Sequence, residues 1–248
     1  MSRMKFMNTY IDNLTMREAV NKIDDIIKRK IPSFVVTPNV DHIVRLEIDE
    51  DLRKVYENAD LVLADGKPLI WISKLYGNPI KEKISGSDLF PEICKLAEKN
   101  RYSMYFLGAK EGVAEKAARN LKEKYANLDI CGYYSPPFGF ENDENELTRI
   151  IADIKRKNPA ILIVALGCPK QEKFIYNYYN ILEVPISLGL GATLDFEAGS
   201  IKRAPKWMSN YGLEWLYRIT QDPKRLIKRY LIDDLKIMKY VIKYRNSN

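Results

Sequence analysis

The chain has 248 residues, 46% of them hydrophobic and 29% charged, which is enough for one substantial core and excludes wholesale disorder. Its longest apolar run, Ala160 to Leu166, falls far short of the ~20 residues that span a bilayer, and Met1 to Leu14 lacks a signal-peptide core, so a cytoplasmic protein is expected. The net charge of +7 sits in the tail: from Ile201 onward 12 Lys/Arg stand against 4 Asp/Glu, whereas the first 200 residues hold 28 and 29, a distribution that fits a local anionic surface or substrate better than nucleic acid.

In chain order, Thr15-Met16-Arg17-Glu18 is a capping box opening a helix to about Arg29, and Ser33 to Thr37 reads as a strand. Asp49 to Asn58 is helical, Leu61 to Ala64 a short strand, Leu69 to Leu75 helix after Pro68, and Asp88 to Asn100 helix again. Ser103 to Leu107 is a strand, Glu115 to Tyr125 a helix, Asp129 to Tyr133 a strand and Glu144 to Lys157 a helix. Ile161 to Leu166 and Pro185 to Leu190 are apolar strands with helical Gln171 to Asn180 between them. Strands alternating with helices predict an α/β fold, Rossmann-like, with a mostly parallel sheet covered by helices on both faces. The alternation stops near Gly199 to Pro205. The expected organisation is an α/β domain over residues 1–200 and a basic helical C-terminal appendage over 201–248.

In such sheets ligands bind beyond the carboxyl ends of the strands. Five ends are polar or glycine-rich: Thr37-Pro38-Asn39, Asp65-Gly66, Gly108 with Gly112, Gly167-Cys168-Pro169-Lys170-Gln171-Glu172, and Gly189-Leu190-Gly191-Ala192. Glycines there let backbone N–H groups approach a phosphate, and a following helix N-terminus favours negative charge; ordinary strand-to-helix turns look the same in one sequence. No third glycine completes a G-x-G-x-x-G string and there is no Walker A loop, which disfavours a dehydrogenase or P-loop ATPase. Asp65 is the leading candidate for chemistry, since a carboxylate at a buried strand end can take the proton of an attacking hydroxyl; capping the next helix or closing the Asp-Gly turn is the alternative. Asp49-Glu50-Asp51 is the one D-x-D string, at a charged helix start that reads as solvated surface. Cys94, Cys131 and Cys168 lack C-x-x-C spacing and His42 is the only histidine, so structural disulfides, a metal requirement and a cofactor are not expected.

Nine strings in order carry a resemblance: T-P-N-V-D-H at Thr37 to His42, A-D-L-V-L-A-D-G at Ala59 to Gly66, G-S-D-L at Gly86 to Leu89, F-L-G-A-K-E-G-V-A-E at Phe106 to Glu115, P-P-F-G-F at Pro136 to Phe140, L-G-C-P-K-Q-E at Leu166 to Glu172, G-A-T-L-D-F at Gly191 to Phe196, R-A-P-K-W at Arg203 to Trp207 and G-L-E-W-L-Y-R at Gly212 to Arg218. Together they resemble the WecG/TagA/CpsF group of bacterial glycosyltransferases over nearly the whole chain. The resemblance implies an inverting, metal-independent transfer from a UDP-sugar, often UDP-N-acetylmannosamine, onto an undecaprenyl-diphosphate-linked N-acetylglucosamine in teichoic acid, common antigen or capsule synthesis. It implies Asp65 as catalytic base, with Thr37, Asn39 and Gln171 around the donor diphosphate and sugar, and Asp195 and the Phe138 loop beside the nucleotide. Lys83 stands where the family pattern has arginine; lysine keeps the charge and loses the bidentate fork. Gly108, Gly167, Lys170 and Gly191 complete the expected substrate contacts. UDP-glucose, UDP-glucuronate and UDP-N-acetylmannosaminuronate remain open as donors, and a non-catalytic membrane-associated nucleotide-binding protein is the alternative from a different class.

Placed on one helix, Lys224 to Arg245 sets Arg225, Lys228, Arg229, Lys236, Lys239 and Lys243 on one face and Ile227, Leu231, Leu235, Met238 and Ile242 opposite. Such a helix either packs its apolar side on the body or lies on an anionic membrane. In the resembling enzymes the appendage folds over the active site, which would bring Arg218 and Arg225 to the diphosphate, with Lys228 and Arg229 as further substrate contacts. Trp207, Tyr211 and Trp215 fit either a membrane surface or ordinary packing. The expected partners are the UDP-sugar, the lipid-diphosphate acceptor and an anionic membrane surface at the inner face of the cell membrane, with no nucleic acid; a homo-oligomer is compatible with the sequence.

Overall fold

A computed structural model describes residues 3–245. Its strands β1 (Arg3–Phe6) and β2 (Thr9–Asp12) form an antiparallel hairpin that the sequence does not announce, because Arg3, Lys5, Thr9 and Asp12 leave it without an apolar run. Next come α1 (Met16–Arg29), β3 (Ser33–Val36), α2 (Val40–Arg45), α3 (Glu50–Asn58), β4 (Leu61–Val62), α4 (Lys67–Leu75) and α5 (Gly86–Asn100). The alternation continues through β5 (Met104–Gly108), α6 (Val113–Lys124), β6 (Ile130–Tyr134), α7 (Glu144–Lys157), β7 (Ile161–Ala165), α8 (Lys170–Leu182) and β8 (Ile186–Gly189). Only helices follow: α9 (Thr193–Glu197), α10 (Lys206–Asn210), α11 (Glu214–Gln221), α12 (Pro223–Lys228), a π turn over Arg229–Asp233, a 3₁₀ turn over Asp234–Lys236, and α13 (Ile237–Tyr244). The fold is α/β with a mostly parallel sheet and a helical C-terminal stretch, as expected.

The chain divides into two compact units. One comprises 17–36 and 86–201 and holds five of the six strands of the larger sheet, in the order β3-β8-β7-β5-β6, every pair parallel. Phe34, Val35, Phe106, Leu162, Ile163 and Leu188 have no exposed surface. Helices take both faces of a parallel sheet, so its strands read as unbroken apolar runs instead of alternating ones. Tight helix ends hold the register between strands; the Asp143 carboxylate, for example, accepts from the backbone N–H groups of Asn145 and Glu146 to cap α7.

The other unit comprises 1–16, 37–85 and 202–248. Asp12 organises its entry: the carboxylate takes both Nε and Nη2 of Arg3, at 3.1 and 2.8 Å, and accepts from the Val62 N–H at 2.8 Å, fastening the hairpin to β4. The C-terminal helices belong to this unit. Leu226 and Ile237 are buried, Tyr76 donates to the Val241 carbonyl at 3.0 Å, and Lys243 pairs with Glu47 at 2.8 Å.

The single helix expected over Lys224 to Arg245 is broken. The π and 3₁₀ turns accompany an inward rotation of Arg229 and Asp234, which a uniform helix with every cation on one outer face does not allow. The apolar residues point outward instead: Ile227, Leu231, Leu235, Met238 and Ile242 are 44% to 76% exposed. Among the described residues no helix is long and apolar enough to cross a membrane.

Candidate active site

Within the sheet-bearing unit, the carboxyl ends of β5, β7 and β8 bring several expected residues together. Gly108 ends β5 at φ +115°, and a Cβ there would lie 2.5 Å from the Ala165 carbonyl oxygen. Only glycine lets β5 and the end of β7 approach this closely. Ala109 N–H then donates to Ala165 O at 2.8 Å, and Ser135 Oγ donates to Gly108 O at 2.9 Å. After β7 the chain passes Gly167 in the left-handed region and enters α8 at Lys170. Buried Gln171 joins two strand ends: its Oε1 accepts from Gly191 N–H at 2.9 Å, and its Nε2 donates to Glu172 Oε1 at 2.7 Å. Gly189 packs on the same amide, where a Cβ would be 3.2 Å from Nε2. Lys170 pairs with Glu141 and lies over the ring of fully exposed Phe138, 4.8 Å from its centroid, so the proline-loop aromatic and the strand-end cation meet. Asp195 sits in the first turn of α9, half-buried, its carbonyl accepting from Ser200 and Ile201. The result is a rim of backbone N–H groups and small residues with a cation and an aromatic ring beside it, a chemistry suited to an anionic nucleotide.

The second unit holds the titrating groups. Asp65 follows β4; its N–H donates to Pro38 O at 2.8 Å, while Ile84 N–H donates to Ala64 O at 2.8 Å. These bonds clamp the turn that carries Asp65 between the segment carrying Thr37 and Asn39 and the segment carrying Lys83. Burial and then the negative charge of Glu214 push the Asp65 carboxyl up to about 6, against the opposing pull of Lys83, His42 and Arg218. A carboxylate held there is ionised at neutral pH yet basic enough to accept a proton. Lys83 Nζ reaches Ser209 Oγ at 3.4 Å, and Ser209 Oγ donates to Glu214 Oε2 at 3.2 Å, so this lysine is tied to α10 and α11. Gly212, between those helices at φ +73°, lies against Trp71; a Cβ would come within 2.9 Å of that ring.

Thr37 is buried and Asn39, half-buried, stands at the start of α2. His42 Nδ1 lies 2.8 Å from Asn39 Oδ1, and Arg229 Nη2 donates to the same oxygen at 3.3 Å. Thr37, Asn39, Asp65, Lys83, Arg218 and Arg229 thus belong to one unit, and Gly108, Phe138, Gly167, Lys170, Gln171, Gly191 and Asp195 to the other. Lys228 is exposed on α12; Arg225 is on the same helix, with its side chain outside the described residues. Sequence reasoning did not single out Asp41, His42, Ser209 or Glu214. Asp41, His42 and Glu214 lie inside the quoted strings, but no spacing or periodicity within the strings marks them. Asp49 caps α3 by accepting from Leu52 N–H, and Asp51 pairs with Lys54 on the same helix, so these two members of the D-x-D string serve the helix start.

A family model described as Glycosyl transferase WecG/TagA/CpsF family matches residues 4–248. The chain is 34% identical over 215 residues to a Bacillus subtilis (strain 168) protein named N-acetylglucosaminyldiphosphoundecaprenol N-acetyl-beta-D-mannosaminyltransferase, covering 85% of this chain and 82% of that one. A protein of the same name from Bacillus spizizenii (strain ATCC 23059 / NRRL B-14472 / W23) is 30% identical over 87% of this chain and 81% of its own. Another from Staphylococcus aureus (strain MW2) is 28% identical over 91% and 87%.

Proposed function

We propose, from the premise that the chain belongs to the WecG/TagA/CpsF family of glycosyl transferases, that it moves N-acetylmannosamine from a UDP donor onto undecaprenyl-diphosphate-linked N-acetylglucosamine. The observation that carries this reading is Asp65, a carboxylate at a strand end, raised to about 6 and ringed by the charges of Lys83, His42, Arg218 and Glu214. Asp65 takes the proton of the acceptor hydroxyl as that oxygen forms its bond to the anomeric carbon; the bond from that carbon to UDP breaks, and the centre inverts. Lys83, Arg218 and Arg225 supply positive charge for the leaving diphosphate. Thr37, Asn39 and Gln171 hold the donor, the glycine-bearing strand ends offer N–H groups to its phosphates, and Phe138, Lys170 and Asp195 lie beside the nucleotide.

The relatives' shared name supports the acceptor and the transferred sugar. The outward apolar residues of the C-terminal helices support attachment to the inner face of the membrane, where a lipid-linked acceptor is embedded. Asp65→Asn should lower turnover at least ~100-fold with UDP binding retained, as expected for a lost base. The check is UDP release from UDP-N-acetylmannosamine with a synthetic lipid-diphosphate acceptor, and near-normal turnover rejects the assignment.

A further inference from the structure

Asn39 touches a near neighbour, His42, and a residue 190 positions away, Arg229, and together they bear on which way its amide points. A guanidinium has only hydrogens to offer, so the Asn39 atom 3.3 Å from Arg229 Nη2 is the oxygen. His42 Nδ1 lies 2.8 Å from that same oxygen. Two acceptors do not sit at that separation without a hydrogen between them, so Nδ1 carries the imidazole proton. The Asn39 backbone N–H, 3.3 Å from Nδ1, asks for the opposite tautomer; it is the longer contact and yields to the shorter. Asn39 also closes a capping box at the start of α2, its side chain accepting from the His42 backbone N–H; with the oxygen engaged by these donors, the NH2 group is the part of the amide left for another partner.

Arg229 is fixed in turn by charge. Its Nη2 lies 3.5 Å from Asp41 Oδ2 and its Nε 4.0 Å from Asp234 Oδ2, while Arg45 Nε binds the other Asp41 oxygen at 2.9 Å. The π turn is what carries Arg229 inward to these partners. Arg229 Nε and Asp234 Oδ1 are buried without a hydrogen-bond partner in the structure, so the guanidinium is held between carboxylates without its whole fork being satisfied. The contact to Asn39 comes from the other end of the fork: Nη2, which faces Asp41 Oδ2 at 3.5 Å, also donates to Asn39 Oδ1 at 3.3 Å, and a charged donor gives that bond its direction.

We infer that Arg229, from the C-terminal segment, is a positioning residue that with His42 locks the Asn39 amide so that its NH2, and not its oxygen, is offered to the oxygens of the donor. The inference rests on the proposed reading in one respect, that Asn39 meets the donor. It ties donor binding to the seating of the C-terminal segment through a single amide, 190 residues away in sequence.

The protein has one histidine, so the imidazole nitrogens of the full chain give one set of ¹⁵N resonances, read at pH 8 where an ordinary imidazole is neutral. The wild type should show the proton on Nδ1. Arg229→Met, which removes the guanidinium donors, should loosen the amide and shift the proton population toward Nε2; Arg229→Lys, which can still donate, should keep it on Nδ1. With UDP as the probe, Asn39→Asp keeps both acceptor contacts but presents oxygen to phosphate, and should weaken binding at least tenfold with Nδ1–H retained. Arg229→Met should weaken it three- to tenfold and Arg229→Lys less. A wild-type proton on Nε2 overturns the inference, as does an Arg229→Met protein that keeps both the Nδ1 proton and wild-type UDP affinity. Melting temperatures separate these outcomes from misfolding. Failure of the catalytic reading would appear differently, as an active Asp65→Asn enzyme with the tautomer unchanged.

Discussion

Asp65, the proposed base, illustrates how far a carboxyl's behaviour is set by its burial and by neighbours far away in sequence. Its carboxyl is raised to about 6 chiefly by burial, then by Glu214. A base must be deprotonated, so kcat/KM should climb through pH 6 from the acid side and level off above it. Glu214→Gln removes a raising charge, and the acid limb should move to lower pH; Lys83→Met removes a lowering charge and should move it up. A limb that ignores both substitutions would show that another group controls turnover.

Linkage gives the same residue a stability signature. Its folded pKa lies above the unfolded value near 3.8, so the stabilisation from the protonated form is complete below pH 3.8 and lost as the pH rises through about 6. Above that window the ionised carboxylate is a cost that Asp65→Asn relieves, so at pH 8 the inactive variant should melt a few degrees higher, the usual trade between a site's activity and its stability. An unchanged or lower melting temperature would show that asparagine loses more contacts than it relieves. Asp65 was legible in the sequence because a polar residue directly after an apolar strand must sit at the sheet's carboxyl rim. Glu214 was not, since nothing in a linear string says that a residue about 150 positions later brings its charge to bear on it.

Elements were legible where burial imposes a period. β5, β7 and β8 lie between helices and read as apolar runs, and α7 carries both a cap and a stripe, so each falls within a residue or two of expectation. The β1–β2 hairpin escaped because Arg3, Lys5, Thr9 and Asp12 leave it without the apolar run that marks the equally short β8, and α2 because six residues are too few for a helical period to register. The broken C-terminal helix escaped for another reason: its pattern is helical throughout, and of the ion pairs of Arg229 with Asp41 and Asp234 that accompany the π turn, the one with Asp41 joins residues far apart in sequence. The β5–β7 junction offers a sharp test of close packing. Gly108→Ala places a methyl 2.5 Å from a backbone oxygen at a φ of +115°, so neither side can relax cheaply, and a loss of more than about 3 kcal/mol is expected. Gly112, at φ +75° with nothing within 4 Å of its Cβ position, should cost only about 1 kcal/mol on the same change. Denaturant unfolding of the two variants measures the difference, and equal losses would refute the steric account.

Several cations of the C-terminal segment are paired while its apolar side chains are exposed, and for the proposed membrane attachment that decides which of the two would hold. The segment carries most of the excess cations, yet Arg229 and Lys243 are committed to Asp41 and Glu47, and Lys236 pairs with Asp233. Each remaining basic residue adds about 1 kcal/mol near anionic lipid, whereas a leucine moved from water into the acyl boundary contributes about 1.5–3 kcal/mol. The outward Leu231, Leu235, Met238 and Ile242 therefore dominate, and attachment should be more apolar than electrostatic. Replacing Leu235, Met238 and Ile242 together with serine should reduce partitioning onto vesicles of anionic and neutral lipid by more than tenfold. The melting temperature should barely change, because all three side chains are already in solvent. Raising the salt from 0.1 to 0.5 M should weaken wild-type binding only a few-fold, since screening acts on the smaller contribution. If salt instead releases the wild type and the serine variant sediments like it, the exposed apolar face is not what meets the lipid, and the free lysines of the segment must be.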